Sequence, residues 1–476
     1  MQAAAARAKR VTRGTNNIDV VPHPSAGDST FGRLARQMER LCWVLFAFWF
    51  AEGLVVAPIG GYSSGSQLFR DMLHSSTYFL TGSLLWITVL NLPLLSRTAQ
   101  RAGLRFGLVT TIALLSSLQV VNGLFHAQVL RLYPVQMIAD FLPLLSCLLA
   151  YVGAVFLAFR ESFKRMIGPQ VLVVGALILW ILWRYPISFG RPDVTEPHFF
   201  AMSIGNIAII GLASIHLLKW RDKIFVLTGV ACYAIMVLAY QSRGASINTF
   251  VILPVTLAIA HIRARTFSMR AIRAMGLVAA PVAVALFLLL SEIPFVSSQA
   301  LDGSRGTSQR LFQNDIGQWD LAGFAAGVDD EMAYSRGLEA EEFVSKATGF
   351  VWLFGNGMAG TWPSDVMNHG DPWPIVHFGP LHMVLKGGVT LAFAYICVYL
   401  LAIWRSWRAL RSTPWAVVPF TCLVLYLSDF SKHGPVVHSY YTSLNWIVVG
   451  IGLSFVPSGH VSRLVNLRRF ARTAAR

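Results

Sequence analysis

Charge is scarce in this chain. Of its 476 residues only 13% are charged, against 55% hydrophobic, and the acids are the rarer sign, 23 Asp and Glu against 39 Lys and Arg. An ordinary soluble domain carries about 25% charge. The shortfall excludes a soluble enzyme, because too little polar surface exists to face water. The aromatic share of 12% excludes overall disorder. Cysteine is equally sparse. Cys42, Cys147, Cys232, Cys397 and Cys422 all fall inside apolar runs, so no disulfide framework is visible. The sequence has no CxxC or Cys/His zinc spacing, no internal repeat, no heptad array and no nucleotide-binding fingerprint. The net charge of +16 is not gathered in one patch. Its basic residues sit in short clusters between apolar runs, the pattern of cytoplasmic loops rather than of a nucleic-acid surface.

Long apolar runs are what the chain has, and mean hydropathy is +0.56. A helix needs about 20 apolar residues to cross a bilayer core. Candidate spans lie at 41–60, 77–95, 106–125, 138–158, 167–183, 199–218, 224–240, 245–260, 272–290, 379–403, 413–428 and 440–457. The chain therefore reads as an all-α polytopic membrane protein, with about twelve transmembrane helices and one large extracytoplasmic loop. With the N-terminus placed in the cytoplasm, 28 of the 39 basic residues fall on inside segments, and every inside segment holds at least three. That bias predicts cytoplasmic termini. Residues 1–40 form a basic tail with the composition of a disordered segment. Spans one to nine occupy 41–290, the loop 291–378, spans ten to twelve 379–457, and a second basic tail 458–476. The first apolar run begins at Leu41 and is long enough to span, so no cleaved signal peptide is expected.

The loop of 291–378 is far longer than the other connections, and it holds twelve acids, from Glu292 to Asp371. Long loops between spans are commonly functional. Within it, Glu339 to Phe350 reads as a helix with Phe343, Ala347 and Phe350 on one stripe. Three groups of residues stand out. Gln241-Ser242-Arg243-Gly244-Ala245 lies at the outer boundary between two spans. Ser335-Arg336-Gly337-Leu338-Glu339 precedes the loop helix and leads to Leu353-Phe354-Gly355-Asn356-Gly357-Met358-Ala359-Gly360. His377-Phe378 opens the tenth span, with Gly388 eleven residues after the histidine.

In this combination the chain resembles the bacterial O-antigen ligase and polysaccharide polymerase superfamily. Its "SRGA" segment matches Ser242 to Ala245. Its second arginine before a loop helix matches Arg336, and its hydrophobic-Gly-x-Gly turn matches Leu353 to Gly357. Its span-opening histidine, with glycine eleven residues on, matches His377 and Gly388. Position 378 is Phe where the family carries a small polar residue, and Lys386 stands where an acid is common. The resemblance covers mainly 225–405. It implies a metal-independent inverting glycosyltransferase of the bacterial inner membrane. The donor would be a polyprenyl-pyrophosphate-linked oligosaccharide and the acceptor a second glycan or a lipid A core sugar, with transfer to protein in a third branch. No cofactor and no nucleic-acid partner are implied.

Elementary chemistry supports the same assignment. A pyrophosphate leaving group needs planar, bidentate cationic donors, which Arg243 and Arg336 supply. An acceptor hydroxyl needs a base or acceptor tuned near neutrality, which His377 supplies. Gly355 and Gly357 would let backbone approach the substrate, and Lys386 would hold a second phosphate or snorkel outward. Plainer readings stand beside these. Arg243 would anchor a helix end, Arg336 would pair with Glu339 or Asp330, and His377 would be an interfacial histidine with its hydrogen bonds met. Asp365, His369 and Asp371 make a metal site the chemical competitor. Glu52 and Asp140 are intramembrane acids, the second close enough to the outer end of its span for water to solvate it. A transporter of lipid-linked sugars and a non-catalytic scaffold are the competing classes. The first would show repeats and broken helices at mid-membrane depth.

Overall fold

A computed structural model describes residues 82–101, 107–125, 134–184, 196–240, 248–266, 336–365, 372–373, 376, 378–432 and 439–455, together with Gln37, Arg40 and Val44. The expected span 272–290, loop residues 291–335, Arg243 and His377 lie outside them. The described residues are mostly helical. In chain order they form α1 (82–90), α2 (Leu92–Arg101), α3 (Gly107–Phe125), α4 (Pro134–Leu145), a 3-10 segment Ser146–Val155, α5 (Phe156–Arg184), α6 (Glu196–Ala213) and α7 (Trp220–Tyr240). A π-helical turn Asn248–Ile252 then runs into α8 (Leu253–Ala264). The loop supplies α9 (Arg336–Lys346), α10 (Gly349–Phe354) and a two-stranded antiparallel pair, β1 (Trp362–Pro363) with β2 (Pro372–Trp373). Helices α11 (Gly379–Ala409), α12 (Val417–Lys432) and α13 (Ser439–Ser454) complete the described chain.

Three of these helical stretches, Gly107–Leu124, Phe163–Trp183 and Gly379–Ala409, are long and apolar enough to cross a membrane. Large apolar side chains such as Leu114, Leu118, Trp183 and Phe393 point outward from the bundle. Such a face suits lipid and not water. Because lipid is as apolar as a protein core, helices in a bilayer associate chiefly through close packing. Glycines mark where they do so. A Cβ on Gly229 of α7 would sit 2.3 Å from the Val171 carbonyl oxygen of α5, and one on Gly450 of α13 only 1.9 Å from that of Ala150. Ala150 lies on the 3-10 segment, a tighter coil than the α-helix.

Aromatic residues fill the centre. Tyr395 stacks on Tyr399 and Phe430, and the fully buried Trp446 meets both tyrosines edge-on while its Nε1 donates to the Pro143 carbonyl at 3.1 Å.

Two local expectations differ from the structure. The sequence 159–166 was expected as a connection between spans and is instead helical within α5, having no glycine or proline to interrupt it before Gly168-Pro169. The loop helix expected over Glu339–Phe350 begins earlier, at Arg336, and stops at Lys346. Thr348 then caps α10, its hydroxyl accepting from the Val351 N–H at 3.4 Å. The stripe is broken accordingly, with Phe343 buried and Phe350 exposed.

Candidate functional site

Helix α9 begins at Arg336, the second arginine of the sequence motif. Phe343 plugs it into the loop, its ring perpendicular to that of Trp362 on β1 at 5.4 Å. A polar seam holds the far end. Glu342 accepts from Lys346 Nζ at 2.7 Å, from the Asp365 N–H at 2.6 Å and from the Ser364 hydroxyl at 3.0 Å. Lys346 also reaches the Asp365 carboxylate at 2.6 Å. The two carboxylates raise the Lys346 ammonium above its ordinary pKa, that of Asp365 contributing most. Helix α9 and the residues after β1 are thus one unit.

From the end of α10 the chain turns into the helical bundle. Gly355 and Gly357 have φ of 71° and 81°, values that side-chain-bearing residues rarely adopt. Space is as restrictive as conformation. A Cβ at Gly355 would meet the Gly387 nitrogen at 2.5 Å, and one at Gly357 the Gly123 nitrogen at 2.4 Å. The receiving surface is a break in α11. Gly387 and Gly388 leave helical geometry, Gly388 at φ 69°, and a Cβ there would lie 2.1 Å from the Leu353 carbonyl oxygen. A break of this kind frees carbonyls of the preceding turn, and the Asn356 N–H donates to that of Leu385 at 2.6 Å. On the other side the Met358 N–H donates to the Gln119 carbonyl, and Asn122 Nδ2 to that of Gly355. The glycine turn of the second motif and the glycine of the third therefore meet, 31 positions apart in sequence between Gly357 and Gly388.

Beneath this turn lies a fully buried ion pair. Lys386 Nζ is 2.6 Å from Asp140 Oδ2 on α4, and both side chains are 0% exposed. Asp140 Oδ2 also accepts the Ala359 N–H at 2.8 Å, and Lys386 donates to the Gly360 carbonyl at 2.9 Å. The pair thus grips both ends of the Ala359–Gly360 peptide. Desolvating two charges is offset only when further hydrogen bonds engage them, and the loop backbone supplies one to each here. This corrects two expectations. Asp140 is enclosed by protein, not solvated by water at a span end. Lys386, expected to hold a second phosphate or to snorkel, is turned inward and engaged.

The remaining site residues are placed less fully. Arg336 opens α9; Arg243 and His377 lie outside the described residues. The segment that follows Arg243 enters the π-helical turn, where Asn248 Nδ2 donates to Asp429 on α12 and its Oδ1 accepts from the Ser428 hydroxyl at 2.7 Å. Single π-turns recur at functional sites. The residues flanking position 377 sit at the start of α11. The Val376 N–H donates to His382 Nδ1 at 3.2 Å, and Phe378 is the residue preceding the first turn.

Sequence reasoning did not single out Gln119, Asn122 or Asn248, and it weighed His382 only beside Asp371 and His377 as a metal candidate. Their common signal was visible as polar residues inside or bordering apolar runs. Among the described residues no group of three or more His, Cys, Asp and Glu is placed to hold a metal ion. Asp365 is bound to Lys346, and His369 and Asp371 lie outside the described residues. Comparison with protein-family models gave no match, and comparison with curated proteins gave none.

Proposed function

We propose that this chain is a membrane glycosyltransferase that moves a glycan from a polyprenyl-pyrophosphate carrier to a sugar acceptor, in the manner of the O-antigen ligase and polysaccharide polymerase superfamily it resembles. The observation that carries the reading is the docking of Leu353–Gly360 into the Gly387–Gly388 break. It unites two motifs that the resemblance had joined only by order. It also fixes the end of α11 that follows His377 against the unit that begins with Arg336. Twelve spans with cytoplasmic termini, in the inner membrane of a bacterium, belong to the same proposal, with 291–378 on the outer side.

The reaction is a single inverting displacement. The acceptor hydroxyl oxygen attacks the anomeric carbon and forms the new glycosidic bond. The bond from that carbon to the pyrophosphate oxygen breaks, and polyprenyl pyrophosphate departs with the electron pair. His377 takes or orients the hydroxyl proton. Arg243 and Arg336 bind and neutralise the leaving group. Gly355 and Gly357 shape the turn between them, and Lys386 acts at a distance by holding that turn through Gly360. Repeat-unit polymerisation is the preferred branch, since no feature marks a lipid A or protein acceptor.

A broken helix beside an intramembrane ion pair favours one other reading, a transporter of lipid-linked sugars. Against it, the break is filled by the protein's own loop, and the sequence has no paired repeats. Glycan analysis of a deletion strain, complemented with wild type, Arg243→Lys, Arg336→Lys or His377→Ala, tests the proposal. Wild type is expected to restore long chains, and the variants are expected to accumulate single lipid-linked units on the outer face. Accumulation on the inner face would instead favour transport. Lost attachment with intact chain length would move the assignment to the ligase branch.

A further inference from the structure

The opposite end of α11 handles positive charge differently. Arg263 of α8, Arg265 just beyond it and Arg411 just beyond α11 converge on an open hollow of about 720 Å³, which Trp407, Ile259 and Ile262 complete. Arg263 is held rigidly. Its guanidinium lies on the Trp407 ring, 3.9 Å from the centroid, and its Nε donates to the Trp407 carbonyl at 3.0 Å. That geometry engages the Nε position and one face of the guanidinium, and Arg263 lines the hollow. Arg265 takes a left-handed conformation, φ 54°, unusual outside glycine. The turn is fixed by the Arg265 N–H to the Ile262 carbonyl, and by the Thr266 hydroxyl against His261 Nδ1 at 2.6 Å.

Among the described residues no acid neutralises these arginines. The sequence has no Asp or Glu between Asp222 and Glu292, nor between Asp371 and Asp429. Among the described residues none of the three arginines has a carboxylate within 4.0 Å. Like charges gathered in a preformed hollow call for an anion. The apolar side of the hollow says which kind. Ile259 and Ile262 are 43% and 41% exposed and continue the outward apolar face of α8, so a bound anion there would have a hydrocarbon neighbour. Depth agrees. Trp407 is 19 residues beyond Gly388 on α11, about 29 Å at the helical rise, or roughly one hydrocarbon thickness. The hollow therefore sits at the boundary opposite the docked loop.

We propose that this hollow is a binding site for the phosphate headgroup of an anionic glycerophospholipid, with an acyl chain lying along Ile259 and Ile262. The site is separate from glycan transfer, and its test does not require activity. The full chain, purified in detergent, is titrated with phosphatidylglycerol, diphosphatidylglycerol or phosphatidylcholine, and retained lipid is read by native mass spectrometry. Inorganic phosphate forms a parallel arm.

The anionic lipids are expected to bind at least about tenfold more tightly than phosphatidylcholine. The Arg263→Gln/Arg411→Gln variant should bind them about thirtyfold more weakly, near fivefold per arginine. Arg265→Gln, a change at an exposed position, should weaken binding about fivefold and serves where the double variant does not fold. Unchanged anionic-lipid retention in the variants would overturn the proposal. Equal retention of phosphatidylcholine, or displacement of the lipid by millimolar inorganic phosphate, would do the same.

Discussion

Helix α11 carries positive charge at both ends and treats it in opposite ways. Near its start, Lys386 is enclosed, paired with Asp140 and bonded to the Gly360 carbonyl. Near its finish, Arg263, Arg265 and Arg411 surround an open hollow with no carboxylate beside them among the described residues. The contrast separates two uses of a cation. A buried charge paired with an acid and bonded to backbone positions that backbone; a cluster without a carboxylate among the described residues is available to an anionic ligand. Residue type alone does not distinguish them, which is why Lys386 read from sequence as a phosphate contact.

The comparison can be broken most forcefully at the buried end. Asp140→Leu or Lys386→Met each leaves one uncompensated interior charge, and is expected to cost about 3–5 kcal/mol of stability. Replacing both, as Asp140→Leu/Lys386→Met, should recover most of that loss. Thermal denaturation of the four proteins in detergent closes the cycle, and additive single effects would show that the pair does not act as a unit. Next comes the glycine contact. Gly388→Ala combines a left-handed φ with a 2.1 Å approach to the Leu353 carbonyl oxygen, and should cost about 2–4 kcal/mol. Gly349→Ala, with nothing within 4 Å, should stay within about 0.5 kcal/mol by the same measurement.

At the exposed end the sign reverses. Arg411→Gln removes a like charge near Arg263, so the melting temperature should hold or rise slightly in lipid-free detergent. A clear fall would mean that Arg411 has a structural partner after all.

The smallest effect is expected in the loop seam. Because hydrogen bonds to Asp365 and Glu342 raise the Lys346 pKa, the seam's contribution is fully present below the ordinary lysine value. It is lost only as pH rises through the raised one. Hydrogen exchange of α9 should therefore be flat from neutral pH to about pH 10, after correction for the intrinsic rate.

Much of the helical layout was legible. Apolar length alone located α3 and α7 to within a few residues of the runs at 106–125 and 224–240, and the run at 379–403 met the start of α11. The Arg336 motif likewise fell on a loop helix. The break in α11 was not legible, because Gly387-Gly388 inside an apolar run is equally compatible with a continuous span. Only the presence of Leu353–Gly360 against it decides the matter, and that contact joins distant parts of the chain. The same holds for Asp140, whose partner is 246 positions away. Pairing across such separations leaves no local trace in one sequence. By contrast, the arginine hollow was half legible, since Arg263, Arg265 and Arg411 belong to the short basic clusters between apolar runs, while Trp407 as the surface that orients Arg263 did not stand out.

The central claim is chemical, and one measurement addresses it directly. Purified wild-type protein, given a polyprenyl-pyrophosphate-linked oligosaccharide and a glycan acceptor in the presence of a metal chelator, should form the elongated glycan and release polyprenyl pyrophosphate. The Arg243→Lys/Arg336→Lys variant, folded by its unchanged melting temperature, keeps the charge but loses the planar fork. Its turnover should fall at least about a hundredfold. Wild-type turnover in that variant, or no transfer by the wild-type protein unless metal is restored, would contradict the account.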